Sequence, residues 1–289
     1  MKHSYRANAF VLLLFLCPLI YFTTIKRTKG FSYHKIHSYH AYDSRWDFGP
    51  PNQAQEALLD QIAAQTFTLL GSGKECYAFV SEDGEIVVKF FKQKHMKTRY
   101  LINYLPLFQS FKAPHQEVLN RHQARRSTLY QSYQIAYERL PEETGVLYLH
   151  LTKTTSLQRA IHLQTKKGRR LTLKLDDMEF MVQKRATPIF NEINAHPEQG
   201  EAIITSIIEL IKSRKEKGIG DRDINCERNL GLYGGKAFQI DVGEFYPTVP
   251  TPVTQEELQE ATLDLRFFLE KNHPHLIPSL DKVIAKPLM

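Results

Sequence analysis

The chain has 289 residues, of which 42% are hydrophobic and 24% are charged, and its formal net charge is +7. Such a composition is typical of a globular protein, and the length suits one two-lobed domain or two small domains. The basic residues form short clusters and no nucleic-acid motif is visible, so the sequence does not indicate a nucleic-acid partner. Three cysteines without a close-spaced pair argue against a disulfide framework or a structural zinc site.

The N-terminal part contains an apolar run without charges, residues 9–25, with basic residues on both sides. This length is at the short end for a transmembrane helix and at the long end for the core of a signal peptide. No small-residue cleavage site follows, so residues 1–29 are interpreted as a signal anchor in preference to a signal peptide. The larger basic cluster after the run predicts a single-pass membrane protein whose main domain is cytoplasmic.

Residues 30–55 are rich in Tyr, His and Pro and predict a surface linker. His34, His37 and His40 recur at every third position, which would be compatible with a metal site. No helical pattern brings them to one face, so a tether is the preferred interpretation.

Residues 56–188 predict a β-rich lobe that begins with a short helix and two strands joined by a glycine turn. Gly71, Ser72 and Gly73 form that turn, where backbone N–H groups can approach a phosphate. The third strand, IVVKFF, carries Lys89 among apolar residues. A charge on a half-buried strand face costs free energy unless an anion meets it, so Lys89 is a candidate phosphate ligand.

The rest of this lobe is predicted to contain a helix and further strands. The helix, Pro114 to Arg139, has Glu117 near its start. That carboxylate could pair with Lys89 and orient it, although several other acids compete for this role. Leu171–Leu175 and Met178–Gln183 alternate around an Asp-Asp turn and predict a hairpin that completes a curled antiparallel sheet.

Residues 189–289 predict a smaller helical lobe. Pro197 to Lys217 has an isoleucine stripe at helical spacing and basic residues in its last turns, and Gly218 and Gly220 follow it. Two short strands around Gly234-Gly235 predict a hairpin. One further helix is expected around Gln255 to Lys271.

The segment GIGDRDINCERNLGLYGGKAFQIDVGEF, between the long helix and the end of this hairpin, concentrates acids and amides. Asp221, Asp223, Asn229 and Asp241 are expected to gather at one edge of the hairpin. Oxygen ligands of this kind suit Mg²⁺, and a Mg²⁺–phosphate complex would explain a concentration of acids that a simple turn does not require.

These motifs resemble the protein-kinase-like superfamily, over about residues 67–245. Lys89 resembles the strand lysine of the family, Arg222-Asp223 with Asn229 resembles the catalytic loop, and Ile240-Asp241-Val242-Gly243 resembles the D-F-G motif with Val in place of Phe. The GIGDR and FQIDVGEF segments are particularly similar to the corresponding segments of phosphoinositide kinases.

The resemblance implies an α+β, two-lobed fold with an antiparallel-sheet N-lobe and a reduced helical C-lobe. It also implies ATP and Mg²⁺ as cofactors. Lys89 and the Gly71–Gly73 turn would contact the phosphates, Asn229 and Asp241 would bind the metal, and Asp223 would accept the proton of the acceptor.

Three departures from the family pattern leave alternatives open. The third glycine of the phosphate loop is replaced near Cys76, and the spacing from Asp223 to Asn229 is six rather than five, so Asp221 or Asn225 could be the true counterpart. The short remainder after Gly243 favours a small-molecule, lipid or atypical acceptor over a protein. A catalytically inactive pseudokinase that binds a protein partner is the alternative function.

Overall fold

The computed structural model describes residues 31–93, 109–165 and 168–285. The predicted membrane anchor at residues 9–25 lies outside these ranges. Within them, no helix is both long enough and apolar enough to cross a bilayer.

The first half of the described chain, up to Lys184, is built on one seven-stranded sheet with three helices. The strands are β1 (Thr66–Ser72), β2 (Cys76–Val80), β3 (Ile86–Phe91), β4 (Val146–His150), β5 (Ala160–Gln164), β6 (Arg170–Lys174) and β7 (Phe180–Lys184). The helices are α1 (Gln53–Ala64), α2 (Gln109–Glu138) and α3 (Pro141–Thr144). The strand order is β4-β7-β3-β2-β1-β5-β6, and all neighbours pair antiparallel except β1 and β5, which are parallel. The expectation of a purely antiparallel sheet is therefore corrected at one pair.

The predicted hairpin of β6 and β7 is wrong, because the two strands do not pair. β6 pairs with β5 at one edge, whereas β7 pairs with β3 and β4 near the other edge. Five strand spacings would separate them by about 24 Å in a flat sheet. Only residues 175–179 connect the two strands, and Leu175–Asp177 among them forms a compact 3-10 turn. The sheet must therefore curl strongly, which alternation along single strands does not reveal.

The segment before α1 is not a loose tether, contrary to the sequence-based interpretation. Phe31 and Ile36 are buried in the main core of the sheet, and Trp46 is buried in a second core cluster beside α2. The Ser38 hydroxyl donates to the buried carboxylate of Glu179 at 2.7 Å. These scattered apolar residues have no regular period, so their burial follows from the shape of the sheet they cover.

The second half combines six helices with short strands. The helices are α4 (Ile189–Ala195), α5 (Gly200–Glu216), α6 (Cys226–Asn229), α7 (Gln255–Ala261), α8 (Leu263–Asn272) and α9 (Ile277–Ala285). The strands are β8 (Thr187–Pro188), β9 (Ile219–Asp221), β10 (Leu230–Tyr233), β11 (Lys236–Gln239) and β12 (Phe245–Pro247). They form a three-stranded sheet in the order β11-β10-β8 and the pair β12-β9. The helices enclose a separate hydrophobic core.

Two predictions for this half are confirmed. The isoleucine stripe of α5 is buried, and Gly218 follows the helix with φ of 66°. A Cβ at Gly218 would lie 2.7 Å from the Thr248 carbonyl oxygen, so the position requires glycine on both grounds. β10 and β11 form the predicted hairpin, in which Gly234 and Gly235 both have positive φ.

The single helix expected at Gln255 to Lys271 is instead two helices, α7 and α8. They are separated at Thr262, which is buried and whose hydroxyl donates to the Leu258 carbonyl at 2.7 Å. Such a side-chain bond to the preceding turn competes with the helical backbone bonds. The architecture as a whole is α+β, with a curled sheet joined to a helical half, and it is compatible with a kinase-like fold.

Candidate functional site

A cavity of ≈ 330 Å³ lies between the turn that joins β1 to β2 and the loops around β9, β11 and β12. Five of the residues named from the sequence line it: Gly73, Asp221, Asp223, Asn229 and Asp241. They come from both halves of the molecule, so the fold brings together groups that are distant in sequence. The volume is at the lower end of the range of small-molecule sites.

Asn229 connects the two acidic segments of this cleft. Its main-chain carbonyl accepts from the N–H groups of Ile240 at 2.7 Å and Asp241 at 3.4 Å. Its side-chain Nδ2 donates to the main-chain carbonyl of Asp223 at 2.7 Å. The nitrogen is therefore used inside the protein, and the amide oxygen is the atom that can bind a cation.

The structure distinguishes Asp221 from Asp223, which the sequence left open. The Asp221 side chain is only 3% exposed and its carboxylate accepts from Arg214 at 3.0 Å. The Asp223 side chain is 47% exposed and its carboxylate lies 3.5 Å from Arg228. Both aspartates line the cavity, but the carboxylate of Asp223 is open to solvent, whereas that of Asp221 is held by Arg214. Asn225, the other candidate, caps α6 by accepting from the Arg228 N–H at 2.8 Å.

Asp221 and Arg214 form a buried polar cluster with Gln239. The Gln239 amide donates to Asp221 at 2.8 Å and accepts from Arg214 at 2.8 Å, while the Asp223 N–H donates to Asp221 at 3.0 Å. Burial raises the pKa of Asp221 and lowers the pKa of Arg214, and the opposite charge of the partner counteracts both shifts. The pair fixes the start of the loop that carries Asp223.

Lys89 reaches the same region from the sheet. Its amine donates to the main-chain carbonyl of Ile240, the residue before Asp241. Burial lowers the pKa of Lys89, and the charge of Asp241 opposes this effect. Lys89 is not among the residues that line the cavity, so the amine lies behind the acidic loop rather than in open solvent.

The loop after Asp241 is held by α2. Val242, which takes the place of Phe in the D-F-G comparison, is completely buried. The Ser132 hydroxyl donates to the Val242 carbonyl and accepts from the Phe245 N–H. The sequence did not indicate Ser132, because a lone serine inside a long amphipathic helix carries no distinguishing signal.

The glycine turn is arranged differently from the prediction. Gly71 lies inside β1 opposite Ala78, and the Ser72 hydroxyl accepts from the amine of Lys92 at 2.8 Å. That amine also donates to the Gly73 carbonyl. Of the predicted phosphate turn only Gly73 reaches the cavity, where it is followed by Lys74. Lys92 was not predicted, and the available signal was a second lysine directly after the strand of Lys89.

The predicted pairing of Glu117 with Lys89 is wrong. Glu117 lies in α2, its side chain is 70% exposed, and its carboxylate pairs with Arg121 one turn later at 3.1 Å. The Lys89 amine is bonded to Ile240 instead. Helical spacing brought Arg121 into reach of Glu117, and this local pairing satisfies the carboxylate.

The oxygen groups of the cleft fit Mg²⁺ brought by a phosphate ligand. Asp241 contributes an exposed carboxylate and Asn229 an amide oxygen, and Mg²⁺ commonly takes one or two protein oxygens together with phosphate and water. Over residues 31–93, 109–165 and 168–285 there is no group of three or more His, Cys, Asp or Glu suited to hold a metal by themselves.

No family model and no curated protein matches the chain. Among solved structures, it is similar to WbdD bound to the kinase inhibitor LY294002, with 13% identity, a TM-score of 0.40, and coverage of 76% of this chain and 46% of that one. A second WbdD structure, described as a bifunctional kinase-methyltransferase, has 13% identity, a TM-score of 0.37, and coverage of 74% and 43%.

Rv3197 from Mycobacterium tuberculosis, in complex with erythromycin, has 18% identity, a TM-score of 0.33, and coverage of 81% of this chain and 60% of that one. The chain thus spans about half the length of the structures it resembles. Similarity at this level decides neither its family nor its activity.

Proposed function

We propose that the protein is a kinase-like phosphotransferase that binds ATP with Mg²⁺ and transfers the terminal phosphoryl group to a non-protein or atypical acceptor. The observation that carries the proposal is the convergence of Lys89 from the sheet with Asn229 and Asp241 from the helical half. Lys89 donates to Ile240, and the next residue, Asp241, lines the cavity with Asn229. An unrelated scaffold would have no need to assemble these groups.

Each residue has a defined role in the proposed reaction. Asp223 accepts the proton of the acceptor hydroxyl, because its carboxylate is exposed to the cavity while its main chain is fixed by Asn229. Gly73 and Lys74 border the phosphates, and Lys89 supplies positive charge behind Asp241. Asn229 and Asp241 hold Mg²⁺, which when bound neutralises phosphate charge.

The acceptor is proposed to be small, a lipid, or otherwise unlike a protein substrate. After Gly243 the described chain forms β12 and the helices α7 to α9, which pack into the core of the helical half. Within residues 243–285, these helices are therefore used to build the core of the helical half. We also propose that residues 9–25 attach the protein to a membrane, with the nucleotide site on the cytoplasmic side, where ATP is available. Membrane fractionation of the protein with and without residues 1–29 tests this attachment.

The nucleotide proposal is tested by thermal unfolding with ATP, in the presence of Mg²⁺ or of EDTA. Mg²⁺–ATP at a hundred times its Kd should stabilise the native protein by about 2.7 kcal/mol. Asp241→Asn should lose the Mg²⁺-dependent part of this shift, whereas Asp281→Asn, which changes an exposed acid on α9, should keep it. An equal shift in all three proteins, or none, would contradict the proposal.

A pseudokinase is the second candidate, and two contacts favour it. The Lys89 amine is bonded to a main-chain carbonyl, and Lys92 occupies the polar groups of Ser72 and Gly73. Under this alternative the protein binds Mg²⁺–ATP or a protein partner without phosphoryl transfer. Slow ATP turnover that falls roughly 10²- to 10⁴-fold in Asp223→Asn, with nucleotide binding retained, would exclude it.

A further inference from the structure

A second cavity, of ≈ 310 Å³, lies on a different part of the sheet half. It is enclosed by the segment that precedes α1, by the C-terminal end of α2, and by β4 with the loop that follows it. None of its lining residues lines the cleft of Asp241. A ligand held here would therefore bind independently of the proposed nucleotide site.

The ionisable groups of this cavity favour a positively charged ligand. Asp47 and Glu138 line it, and neither lysine nor arginine does. His150, the remaining ionisable group apart from tyrosines, is buried, and burial lowers its pKa. The lining is thus acidic although the chain as a whole has a formal net charge of +7. Phosphates and carboxylates would be repelled, whereas an organic cation would be attracted.

Four aromatic side chains also line the cavity: Trp46, Phe48, Tyr137 and Tyr148. Phe48 and Tyr137 pack edge to face with ring centroids 5.7 Å apart, and Trp46 packs in the same way on Tyr130 at 5.2 Å. These contacts hold the rings in place before any ligand arrives. Aromatic groups of this kind bind ammonium and quaternary ammonium ions through the negative face of the ring.

Tyr148 supplies a hydrogen-bond donor to this cavity. Only 5% of this residue is exposed, and its hydroxyl has no hydrogen-bond partner among the described residues. Burial raises the pKa of Tyr148, so the hydroxyl stays neutral and can donate. The hydroxyl oxygen itself is not fully enclosed, so it can donate to an acceptor atom on a molecule bound in the cavity.

We propose that this cavity binds a small organic cation that also carries a hydrogen-bond acceptor, such as an amino alcohol or its quaternary ammonium form. The aromatic rings and the two carboxylates hold the cationic group, and the Tyr148 hydroxyl donates to the acceptor atom. This binding does not depend on the phosphotransferase function.

Trp46 is the single tryptophan of the chain and therefore reports directly on this cavity. The experiment is a titration of the full-length protein with choline and with tetramethylammonium, followed by Trp46 fluorescence at constant ionic strength. We expect a saturable change with both cations, with choline binding more tightly because it carries an acceptor oxygen. Glucose and inorganic phosphate should cause no saturable change.

Charge-neutral variants test the lining without changing its shape. Asp47→Asn combined with Glu138→Gln should weaken choline binding at least about tenfold, which corresponds to 1.4 kcal/mol. Glu142→Gln, at an exposed acid of α3 outside the cavity, should bind choline as the wild type does. Tyr148→Phe should lower the affinity for choline but not for tetramethylammonium.

Absence of a saturable response to either cation would overturn the proposal. So would an equal response to glucose, or unchanged choline affinity in the double variant when circular dichroism shows that this variant is folded.

Discussion

The two sides of the candidate cleft are held in place by different means. On the helical side, the loop with Asp223 is anchored by the buried charges of Arg214 and Asp221 together with Gln239. On the sheet side, the glycine turn is held by the amine of Lys92.

This difference follows from what each side contributes. The helical side must hold acidic side chains close to one another despite their mutual repulsion, and a fixed cation beside the loop offsets part of that cost. The sheet side contributes the backbone of a turn, in which the Gly73 N–H donates to the Cys76 carbonyl at 3.0 Å and the Gly73 carbonyl accepts from the amine of Lys92. Removing Arg214 from the helical side should therefore destabilise the protein more than removing Lys92 from the sheet side.

The largest effect is expected for Arg214→Met. This change leaves the Asp221 carboxylate buried without its charged partner, and we expect the free energy of unfolding to fall by about 3–5 kcal/mol in urea denaturation. The double variant Arg214→Met/Asp221→Asn should recover part of the loss, because no uncompensated charge remains.

The matched control is Arg266→Met, which breaks a more exposed ion pair with Asp281 in the same half. It should cost less than about 1 kcal/mol. If both single variants had the same stability, the Arg214–Asp221 pair would not be the anchor of this loop.

A smaller effect is expected for Lys92→Met on the sheet side. The substitution removes the donor to Ser72 and Gly73, and we expect a loss of about 1–3 kcal/mol together with faster hydrogen exchange in the turn. Lys74→Met, which removes a 3.7 Å exposed pair with Glu244 from the same turn, should cost less than about 1 kcal/mol. Unchanged exchange rates in Lys92→Met would show that the turn is held by its strands alone.

The smallest effect is expected from His150, a buried, neutral histidine of the sheet half, which should make the stability of the protein depend on pH. Its Nδ1 lies 2.7 Å from the Met178 carbonyl, and burial lowers its pKa below the ordinary value of 6.5. The unfolded chain then binds more protons than the native protein at pH values between the two pKa values. Stability should therefore fall as the pH is lowered below 6.5, by at most about 1.4 kcal/mol per pH unit.

Urea denaturation from pH 7 to pH 5 measures this dependence. His150→Gln should flatten the slope, whatever its effect on stability at pH 7. His162→Gln, at an exposed histidine of β5, should leave the slope as in the wild type. A steep slope retained in His150→Gln would assign the pH dependence to other groups.

Local patterns predicted much of the helical half. The stripe of α5, the glycine after it and the Gly234-Gly235 hairpin depend on residues that are neighbours in the chain, so the sequence was sufficient for them. The prediction of a single helix from Gln255 to Lys271 was wrong at Thr262, where the hydroxyl bonds to the preceding turn and α7 gives way to α8. In the sheet half, the successive pairing of β1, β2 and β3 was also predicted from turns between neighbouring strands, but the pairing of β6 with β7 was wrong.

The candidate site was predicted in part. Lys89, Asp223, Asn229 and Asp241 were named from short motifs, and the structure brings them to one region. Glu117 was assigned to Lys89 only because a helix followed the strand, and it pairs with Arg121 instead. Lys92 and Ser132 were missed, because their roles consist of bonds to main-chain atoms that are remote in sequence or lie in a turn.

The sequence by itself determined which segments are helices, strands and turns in most of the described chain, since those depend on periodicity and on residues close together. It also determined which oxygen and nitrogen groups were available for chemistry. Only the tertiary structure decided that the sheet curls, that the segment before α1 is buried, and that Asp221 anchors while Asp223 is exposed. These outcomes depend on burial, and burial is set by parts of the chain that meet only after folding.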